Sequence, residues 1–496
     1  MKRPSKAEIK GNGEKSPPGS ANLAISRLGA RKYSATHNYY AKHSNKKAQN
    51  GVKSVVSAEI PPKMCYVRYN IYATHNNKNE KIKERAKRGT MKERVILYSD
   101  LNNFFASVET ALHPEYAGKP LIVCGDPKER RGVVFAKNEE AKKYGIRTAE
   151  TVYSALKKCP HVLRVPTHFS EYNRYSKAVR EIYARYTDVI EPLSIDECAM
   201  DVTESERLFG GGEKIAEEIR NAVKNELKIT VSIGVSFNKI YAKLASEMKK
   251  PDAVTVISRE NYMRKVYPLP VSDLLYVGNA TGEALKKRGI RTIGDLAVAD
   301  VALLTRLFGK RGAILSANAR GENNEEVKKE SDEIKSIGNS MTLPYDINDA
   351  ESVKRHFYVL SESVASRLRE ADVGKCSTVH ITVKDENLRE ITRQKKIAPT
   401  ALCEDIAKAA FELYTESVPA ATNAHMLGVA VSDFDFNVEQ LSLGGVGGAR
   451  DNYEKRRRAE DAVAEIRKKY GYAKVQRGIV MEDESLIGAD IEHRKD

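Results

Sequence analysis

Three acidic residues stand at the ends of apolar strands, where they could bind divalent cations. Asp100 comes just past one apolar run, and Asp196 and Glu197 open another. Phosphoryl transfer to a 3′-hydroxyl uses two divalent cations, and hard cations prefer carboxylate oxygens and backbone carbonyls, here that of Leu101. Adjacent acids repel each other, so this pair costs free energy unless a cation compensates. Taken alone, however, an Asp-Glu pair at a strand edge also fits a solvated turn.

The segments around these acids alternate between strand and helix patterns. Apolar strands are predicted at Val95–Tyr98 and Leu121–Cys124, and Phe104–Leu112 has helical spacing. Strands that alternate with helices on both sides of an acidic pair predict a split βαβ, ferredoxin-like layer. The positions that indicate two more helices and two more strands are Tyr175, Val179, Ile182 and Tyr186; Ile215, Ile219, Val223 and Leu227; Cys198, Met200 and Val202; and Val231, Ile233 and Val235.

Two further units follow this layer. The first is predicted to be a pair of short helices joined by a glycine turn, with Gly278 before the first helix and Gly289 at its end. A charged stretch poor in apolar residues then predicts a linker. Beyond it, a helix at Val353–Leu368 and two alternating strands indicate an α/β unit, and a charged helix is expected from Tyr453 to about Tyr470.

The net charge of +16 is concentrated in the first 90 residues. That segment holds 20 Lys or Arg and 5 Glu without any Asp, whereas residues 91–496 hold 63 basic and 62 acidic residues. We interpret residues 1–90 as a basic, disordered extension that either follows nucleic-acid phosphates or precedes a true start at Met91. No window of about eighteen apolar residues, signal peptide or C-x-x-C pair occurs, so we expect a cytoplasmic protein without membrane contact. We also expect it to be a monomer.

Three segments, in this order, resemble the motifs of the Y-family DNA polymerases, nearest to their DNA polymerase IV group. They run from Val95 to Glu109, from Leu193 to Thr203 and from Ser232 to Ser246, and Lys250-Pro251 follows the third. The resemblance covers about residues 94–475. It implies a template-directed, low-fidelity translesion DNA polymerase that adds dNTPs to a primer 3′-hydroxyl by two-metal phosphoryl transfer, without proofreading.

The fold that the resemblance implies is α+β, a multi-domain right hand with a ferredoxin-like palm. The expected domains are a palm at 91–103 and 168–257, small fingers at 104–167, a helix-hairpin-helix thumb at 258–325, a linker at 326–335, an α/β little-finger domain at 336–436 and a C-terminal tail at 437–496.

The resemblance also assigns roles to individual residues. The three acids and the Leu101 carbonyl fall on the family's catalytic site, which binds two Mg²⁺. Phe105 falls on the steric gate that excludes a ribose 2′-hydroxyl, and Lys243 falls on the lysine that contacts the incoming triphosphate. Without the motifs, Phe105 would read as helix core and Lys243 as a surface lysine of an amphipathic helix.

One segment departs from the family pattern. The fingers usually carry a tyrosine and an arginine three residues apart, both in contact with the triphosphate, and here those places hold Glu139 and Lys142. Lys142 keeps a positive charge but loses the bidentate fork, and Glu139 would repel phosphate if it faced the site. The DNA polymerase V branch lacks the same pair, so activity is still expected.

Two alternatives to a polymerase therefore stay open. One is a DNA- and clamp-binding accessory protein with an impaired nucleotide pocket, which the glutamate at 139 suggests. The other is a nucleotidyl cyclase, since these enzymes share a ferredoxin-like palm with two metal-bound acids. The intact acidic set disfavours the first, and the predicted thumb and little finger disfavour the second.

Contacts with primer-template DNA are implied in the thumb and the little finger. Backbone N–H groups at a glycine turn such as those of Gly278 and Gly289 suit a duplex phosphate. In the little finger, a basic cluster is the candidate for backbone contact, with a lysine-guarded strand edge as the alternative. This cluster comprises Arg389, Arg393, Lys395 and Lys396.

A short peptide after the last predicted domain resembles those that bind the bacterial sliding clamp. Gln440 would supply hydrogen bonds, and Leu441 and Leu443 would enter an apolar pocket, in an extended-peptide mode. The expected terminal aromatic is replaced by Gly444-Gly445, so the match is degenerate.

Overall fold

The structure is a computed structural model that describes residues 93–125, 132–329, 334–435, 447–471, 474–483 and 486. Its strands are β1 Ile96–Leu101, β2 Leu121–Cys124, β3 Val134–Lys137, β4 Leu163–Val165, β5 Ile190–Pro192, β6 Glu197–Asp201, β7 Val231–Ser236, β8 Val254–Ile257, β9 Ser336–Ile347, β10 Lys375–Asp385, β11 Glu390–Thr400 and β12 Ala424–Asp435. Its α-helices are α1 Phe104–Leu112, α2 Glu139–Lys143, α3 Val152–Lys158, α4 Phe169–Tyr183, α5 Glu206–Phe209, α6 Gly212–Leu227, α7 Lys239–Met248, α8 Tyr262–Val266, α9 Asn279–Lys286, α10 Ile293–Val298, α11 Val301–Phe308, α12 Lys310–Ala319, α13 Ala350–Ala371, α14 Cys403–Ser417 and α15 Gly447–Tyr470. Within these residues, no helix is long and apolar enough to cross a membrane.

The predicted ferredoxin-like layer is a five-stranded sheet in the order β5-β6-β1-β7-β8, which we call the palm sheet. Its central strand β1 is antiparallel to both β6 and β7. Because side chains alternate along a strand, Leu97 faces one side of the sheet, where Ile182 of α4 and Ile219 of α6 bury it. Tyr98 and Asp100 share the opposite side, where α7 packs.

A smaller sheet carries the segment predicted as fingers. Strands β3, β2 and β4 lie in that order, and Ile122, Val134 and Ala141 are buried together between the sheet and helices α2 and α3. Helix α2 begins after Asn138, whose side-chain oxygen accepts hydrogen bonds from the N–H groups of Ala141 (2.9 Å) and Leu121 (3.0 Å). One asparagine therefore caps α2 and also ties it to β2.

The helices predicted as a thumb form the expected hairpin. Gly278 caps the N-terminus of α9, and Gly289, with φ +81, turns the chain after it. Helix α10 opens with a capping box, in which Thr292 and Asp295 each accept a hydrogen bond from the other's backbone N–H. A glycine after the first helix and a capping box before the second are strong local signals. They explain why the sequence pattern located this hairpin.

The described part of the segment after the thumb packs on the palm sheet. Val327 is buried beside Tyr98 and Ile96. The carboxylate of Glu325 lies 2.9 Å from the Nζ of Lys239 at the start of α7. The predicted linker therefore contributes to the side of the palm sheet on which Tyr98 lies.

A second, four-stranded antiparallel sheet in the order β11-β10-β12-β9 forms the predicted little finger. Helices α13 and α14 cover one face, where Phe357 and Ile406 pack on Val379 and Ile381 of β10. Residues between these buried positions face the other side, as the two-residue period of a strand requires.

The last described segment belongs to the little-finger core. The sequence marks residues 437–496 as a tail, but Val480 and Leu486 are buried in the same core as α13 and α14. Arg467 of α15 lies 2.8 Å from Glu362 of α13, and both side chains are almost fully buried. A charged helix pattern shows no apolar stripe, so ion pairing to α13 could not be anticipated from it.

Candidate active site

Two of the predicted acids face each other across adjacent strands. Asp100 of β1 is paired with Glu197 of β6 in the antiparallel register, and Asp100 is only 5% exposed. Oxygen atoms of Asp100, Glu197 and Glu247 of α7 lie within 4.8 Å of one another. Carboxylates this close repel each other unless positive charge intervenes. The cluster therefore offers the oxygen ligands that a divalent cation prefers.

Two lysines supply positive charge to this acidic cluster. The Nζ of Lys243 lies 2.8 Å from Asp100 Oδ2, 2.7 Å from Glu197 Oε1 and 2.7 Å from Glu247 Oε1. The Nζ of Lys250 lies 2.7 Å from Asp100 Oδ1 and 2.9 Å from Glu247 Oε1. In this structure the two ammonium groups provide the positive charge that a metal cation would otherwise provide to the carboxylates. A cluster of carboxylate oxygens that needs such positive charge fits a divalent cation.

Helix α7 reaches the acids because the strand beneath it has a glycine. Gly234 of β7 is paired with Tyr98 of β1. A Cβ atom on Gly234 would lie 1.9 Å from the carbonyl oxygen of Ala242 and 2.5 Å from the backbone nitrogen of Ser246. Only glycine permits so close an approach between strand and helix. The contact places Lys243, next to Ala242, over the acidic ends of β1 and β6.

Hydrogen bonds hold Glu197 in its charged form. Burial by itself would raise the pKa of Glu197, but hydrogen bonds from Lys243 and from the Tyr98 hydroxyl, at 2.6 Å, outweigh it and lower the pKa. For Lys243, burial favours the neutral amine, yet the neighbouring carboxylates, Asp100 foremost, raise its pKa well above the ordinary value. Both groups are therefore ionised at neutral pH.

The third predicted acid lies beside the cluster. The carbonyl oxygen of Asp196 accepts the N–H of Leu101 at 3.0 Å, so its backbone adjoins β1. Its carboxylate accepts a hydrogen bond from the Ser194 hydroxyl at 2.6 Å. The oxygens that converge are those of Asp100, Glu197 and Glu247.

Sequence reasoning missed three members of this cluster. Glu247 and Lys250 lie one and two turns beyond Lys243, and the spacing of Lys243 and Glu247 is that of an ion pair on one helix face. That pattern was available, but it is common on solvated helices. Tyr98 could have been found as the residue two before Asp100, on the same face of β1.

Phe105 has a firmly supported ring. It stacks on Tyr172 of α4, with ring centroids 4.1 Å apart and an interplanar angle of 10°. The hydroxyl of Tyr172 donates to the buried carboxylate of Glu109 at 2.5 Å. Phe104, by contrast, is 4% exposed and belongs to the core. A ring held in this way suits a residue that selects by size.

Glu139, which replaces the family's tyrosine in the fingers, has a hydrogen-bond partner in the palm. Oε1 of Glu139 accepts a hydrogen bond from Nδ2 of Asn103 at 3.0 Å. Oε2 of the same residue lies 3.5 Å from Nζ of Lys142. Asn103 stands three residues after Asp100, so helix α2 of the fingers touches the palm at this point.

The basic cluster predicted in the little finger is divided between two faces of the sheet. Arg393 and Lys395 pair with Ile381 and Val379, so they lie on the helix-covered face. Lys396 pairs with Thr378 and lies on the other face, and Arg389 precedes β11. The Nζ of Lys395 lies 3.1 Å from Glu412 and 3.3 Å from Glu416, both on α14.

The other predicted contacts involve separate elements. Gly278 and Gly289 bound helix α9 in the thumb hairpin. Gln440, Leu441 and Leu443 of the clamp-like peptide lie outside the described residues, as does the basic segment 1–90.

Comparisons with known proteins place this geometry in a family. Models of the impB/mucB/samB family and of its C-terminal domain match residues 99–247 and 334–443. A DNA polymerase IV of Acetivibrio thermocellus is 44% identical over 399 residues, which covers 79% of this chain and 99% of the relative. A DNA polymerase IV of Clostridium kluyveri is 37% identical over 391 residues, with 78% and 98% covered.

Solved structures agree with these relatives. A Y-family DNA polymerase chimera built from Dbh and Dpo4 superposes with a TM-score of 0.63 at 26% identity and covers 69% of this chain and 100% of its own. An insertion ternary complex of Dbh DNA polymerase gives a TM-score of 0.52 at 26% identity, with the same coverage.

The palm sheet, its acidic cluster and these matches define the class as the Y-family DNA polymerases. Within it, the chain belongs to the impB/mucB/samB family and is a DNA-directed DNA polymerase of the translesion type. The predicted family, right-hand α+β fold and activity are confirmed. The alternative of an accessory protein is not favoured.

Proposed function

We propose that this polymerase extends a DNA primer with dNTPs, on damaged templates too, at a site formed by Asp100, Asp196, Glu197 and the Leu101 carbonyl. These groups would hold two Mg²⁺, which when bound lower the pKa of the primer 3′-hydroxyl and neutralise triphosphate charge. The primer 3′-hydroxyl gives up its proton to solvent, its oxygen bonds to the α-phosphorus as the bond from that phosphorus to the α,β-bridging oxygen breaks, and pyrophosphate leaves. The pairing of Asp100 with Glu197 under two lysines carries this proposal.

The lysines have a second task in this proposal. Lys243 balances Asp100 and Glu197 in the structure described here, and it exchanges these carboxylates for triphosphate oxygens when nucleotide binds. Lys142 approaches the same triphosphate from the fingers. Its side chain is 60% exposed and therefore free to reorient toward a ligand. A lysine binds phosphate as a point charge, without the fork of an arginine.

Phe105 acts as the steric gate against ribonucleotides. Its stacking on Tyr172, and the hydroxyl of Tyr172 on buried Glu109, support a fixed ring position. A fixed ring excludes a 2′-hydroxyl by contact, whereas a mobile ring would yield to it.

DNA binding is spread over the thumb and the little finger. N–H groups beside Gly278 and Gly289 bind backbone phosphates of the duplex. Arg389 and Lys396 contribute charge from the little finger, and Arg393 adds to it at longer range from the helix-covered face. Lys395 contributes less, because two glutamates of α14 already engage it.

The polymerase works as a cytoplasmic monomer and docks on the bacterial sliding clamp. The resemblance of Gln440, Leu441 and Leu443 to clamp-binding peptides supports the docking, as does their place after β12. Such a peptide would bind in extended form, with the leucines in an apolar pocket.

Primer extension by Glu197→Gln tests the proposal. Because the glutamine keeps the shape but removes the charge, extension should fall about 10³-fold while primer-template affinity stays within about twofold. Asp196→Asn tests the third acid in the same assay. Glu226→Gln, which removes an exposed carboxylate paired with Arg185, is the control. Extension by Glu197→Gln at the rate of this control would overturn the assignment.

A further inference from the structure

The hydrogen bond between Glu139 and Asn103 joins two parts of the molecule that are distant in sequence. Oε1 of Glu139, the first residue of α2, accepts from Nδ2 of Asn103 at 3.0 Å. The two residues are 36 positions apart. Glu139 belongs to the fingers, and Asn103 belongs to the turn between β1 and α1.

Asn103 occupies a sensitive place in the palm. It follows Asp100 by three residues and immediately precedes Phe104 and Phe105. It is the N-terminal cap of α1 and has φ +49, a left-handed conformation that few residues other than glycine adopt. A contact that restrains Asn103 therefore restrains the turn that separates the metal-binding acid from the gate.

At the other end, Glu139 is fixed to a rigid element. Asn138 caps α2, accepts the N–H of Leu121 and donates to the carbonyl of Lys119 at 2.7 Å. Helix α2 is thus anchored to β2 at the residue just before Glu139. The hydrogen bond that Glu139 accepts from Asn103 of the palm then positions the whole helix.

The charge of Glu139 is also accounted for. A free carboxylate beside a triphosphate would oppose nucleotide binding. In this structure one oxygen is held by the amide of Asn103, and the other lies 3.5 Å from the ammonium of Lys142. Lys137 lies near both side chains. Burial and, after it, the charge of Lys142 lower the pKa of the Lys137 ammonium, and the charge of Glu139 opposes this shift. Glu139 therefore lies between the side-chain amide of Asn103 and two lysines of the fingers, Lys137 and Lys142.

We propose that Glu139 is a positioning residue for nucleotide binding. Its hydrogen bond to Asn103 fixes the fingers helix against the palm, and its ion pair aims Lys142 at the triphosphate. The proposal deepens the proposed function and rests on it for the role of Lys142. Where the family places a tyrosine that touches the nucleotide, this chain has a carboxylate that acts through two neighbours.

Steady-state single-nucleotide insertion by four variants tests this role. Glu139→Ala and Asn103→Ala each remove the hydrogen bond and should raise KM for the dNTP about fivefold, with kcat within about twofold. The double variant should be no worse than Glu139→Ala, because that substitution already removes the hydrogen bond that Asn103→Ala removes. Glu139→Gln keeps an oxygen acceptor for Asn103 but loses the ion pair with Lys142, so its KM should lie between those of the parent protein and Glu139→Ala.

The chain offers a matched control on the same helix. Glu140→Ala removes another i,i+3 ion pair, that of Glu140 with Lys143, and the two glutamates have similar exposures, 36% and 41%. Its KM should stay within about twofold of the parent protein. Thermal unfolding of each variant shows whether the fold is kept.

Three results would overturn the role of Glu139: an unchanged KM in Glu139→Ala, a lowered KM, or additive effects in the double variant. Lys142→Ala separates this failure from that of the proposed function. If Lys142→Ala raises KM while Glu139→Ala does not, only the positioning role is lost. If Lys142→Ala also leaves KM unchanged, the triphosphate contact of the fingers is wrong as well.

Discussion

The palm sheet and the little-finger sheet are built alike but use their second faces differently. Each has two helices packed on one face, α4 and α6 in the palm and α13 and α14 in the little finger. On the second face of the palm, α7 lies against Gly234 and brings Lys243 to the acids. The second face of the little finger presents small residues, among them Gly338, Ser340 and Thr382, which are exposed or half-buried.

This difference shows how one architecture serves two tasks. Close packing of α7 brings three carboxylates and two ammonium groups within hydrogen-bonding distance, and the attraction is strongest at Asp100, whose carboxylate is almost fully buried. A broad face of small side chains instead lets a large, regular partner approach the backbone. Under the proposed function, chemistry would depend on a few exact contacts in the palm, and DNA binding on many weak ones in the little finger.

The largest effect is expected for glycine substitutions that test this contrast directly. Gly234→Ala places a Cβ atom 1.9 Å from the carbonyl of Ala242, so α7 must move, at a cost of about 3 kcal/mol in the free energy of unfolding. Primer extension should fall as Lys243 leaves the acids. Gly428→Ala, in β12, meets the Cβ atoms of Ser340 and Thr382 at 3.2 and 3.4 Å and the Asn339 carbonyl oxygen at 3.6 Å, an ordinary contact, and is the matched control.

Urea unfolding and extension assays on both variants check this contrast. Gly428→Ala should change the free energy of unfolding by less than about 1 kcal/mol, because two side chains can shift slightly to admit the methyl group. Equal destabilisation by the two substitutions would mean that the second faces of the two sheets are equally closed.

The next largest effect is expected for a buried ion pair in the little finger, far from the acidic cluster in sequence. Arg467→Met removes one of two arginines from Glu362, which is 8% exposed, and should cost about 2 kcal/mol because Arg477 remains as a partner. Hydrogen exchange in β9–β12 should speed up while single-nucleotide insertion stays unchanged. Arg457→Met, on the same helix but in an exposed pair 3.9 Å from Asp461, is the control. Loss of insertion in Arg467→Met would contradict the separation of the two sheets.

Local pattern was enough to predict much of the palm and its acids. The strand Leu121–Cys124 and the helix Phe104–Leu112 have the predicted bounds. The strand that carries Asp100 was identified by a continuous apolar run, and the one that carries Glu197 by its apolar alternation. A short element with a strong apolar period is specified by its own residues. The three motifs then placed these strands in one sheet.

Contacts that depend on how elements pack could not be predicted. Glu247 and Lys250 join the acids only because Gly234 lets α7 approach, and a glycine in a strand does not say which helix will cover it. The hydrogen bond between Glu139 and Asn103 joins the first residue of α2 to the turn before α1, 36 positions away in the sequence. In β11, the alternation of Lys395 and Lys396 was readable, but which of them faces the helices depends on pairing with β10.

A smaller effect is expected at the gate. Phe105→Ala should reduce the preference for deoxynucleotides over ribonucleotides at least tenfold in kcat/KM, about 1.4 kcal/mol, because the ring no longer opposes the 2′-hydroxyl. Tyr172→Phe keeps the ring on which Phe105 stacks but removes the hydroxyl that donates to Glu109, so it should keep most of the selectivity. Unchanged sugar selectivity in Phe105→Ala would mean that another side chain discriminates between deoxynucleotides and ribonucleotides.

The smallest effect separates two neighbouring lysines of the little finger. Lys396 lies on the open face of β11, whereas Lys395 faces α14 and is paired with Glu412 and Glu416. Lys396→Ala should weaken primer-template binding about threefold and reduce the slope of log affinity against log salt by about 1, as loss of one phosphate contact does. Lys395→Ala should change neither, because its ammonium is already neutralised. Equal slopes for both variants in a fluorescence titration would show that the open face does not carry the DNA, and the contrast between the two sheets would then rest on the palm alone.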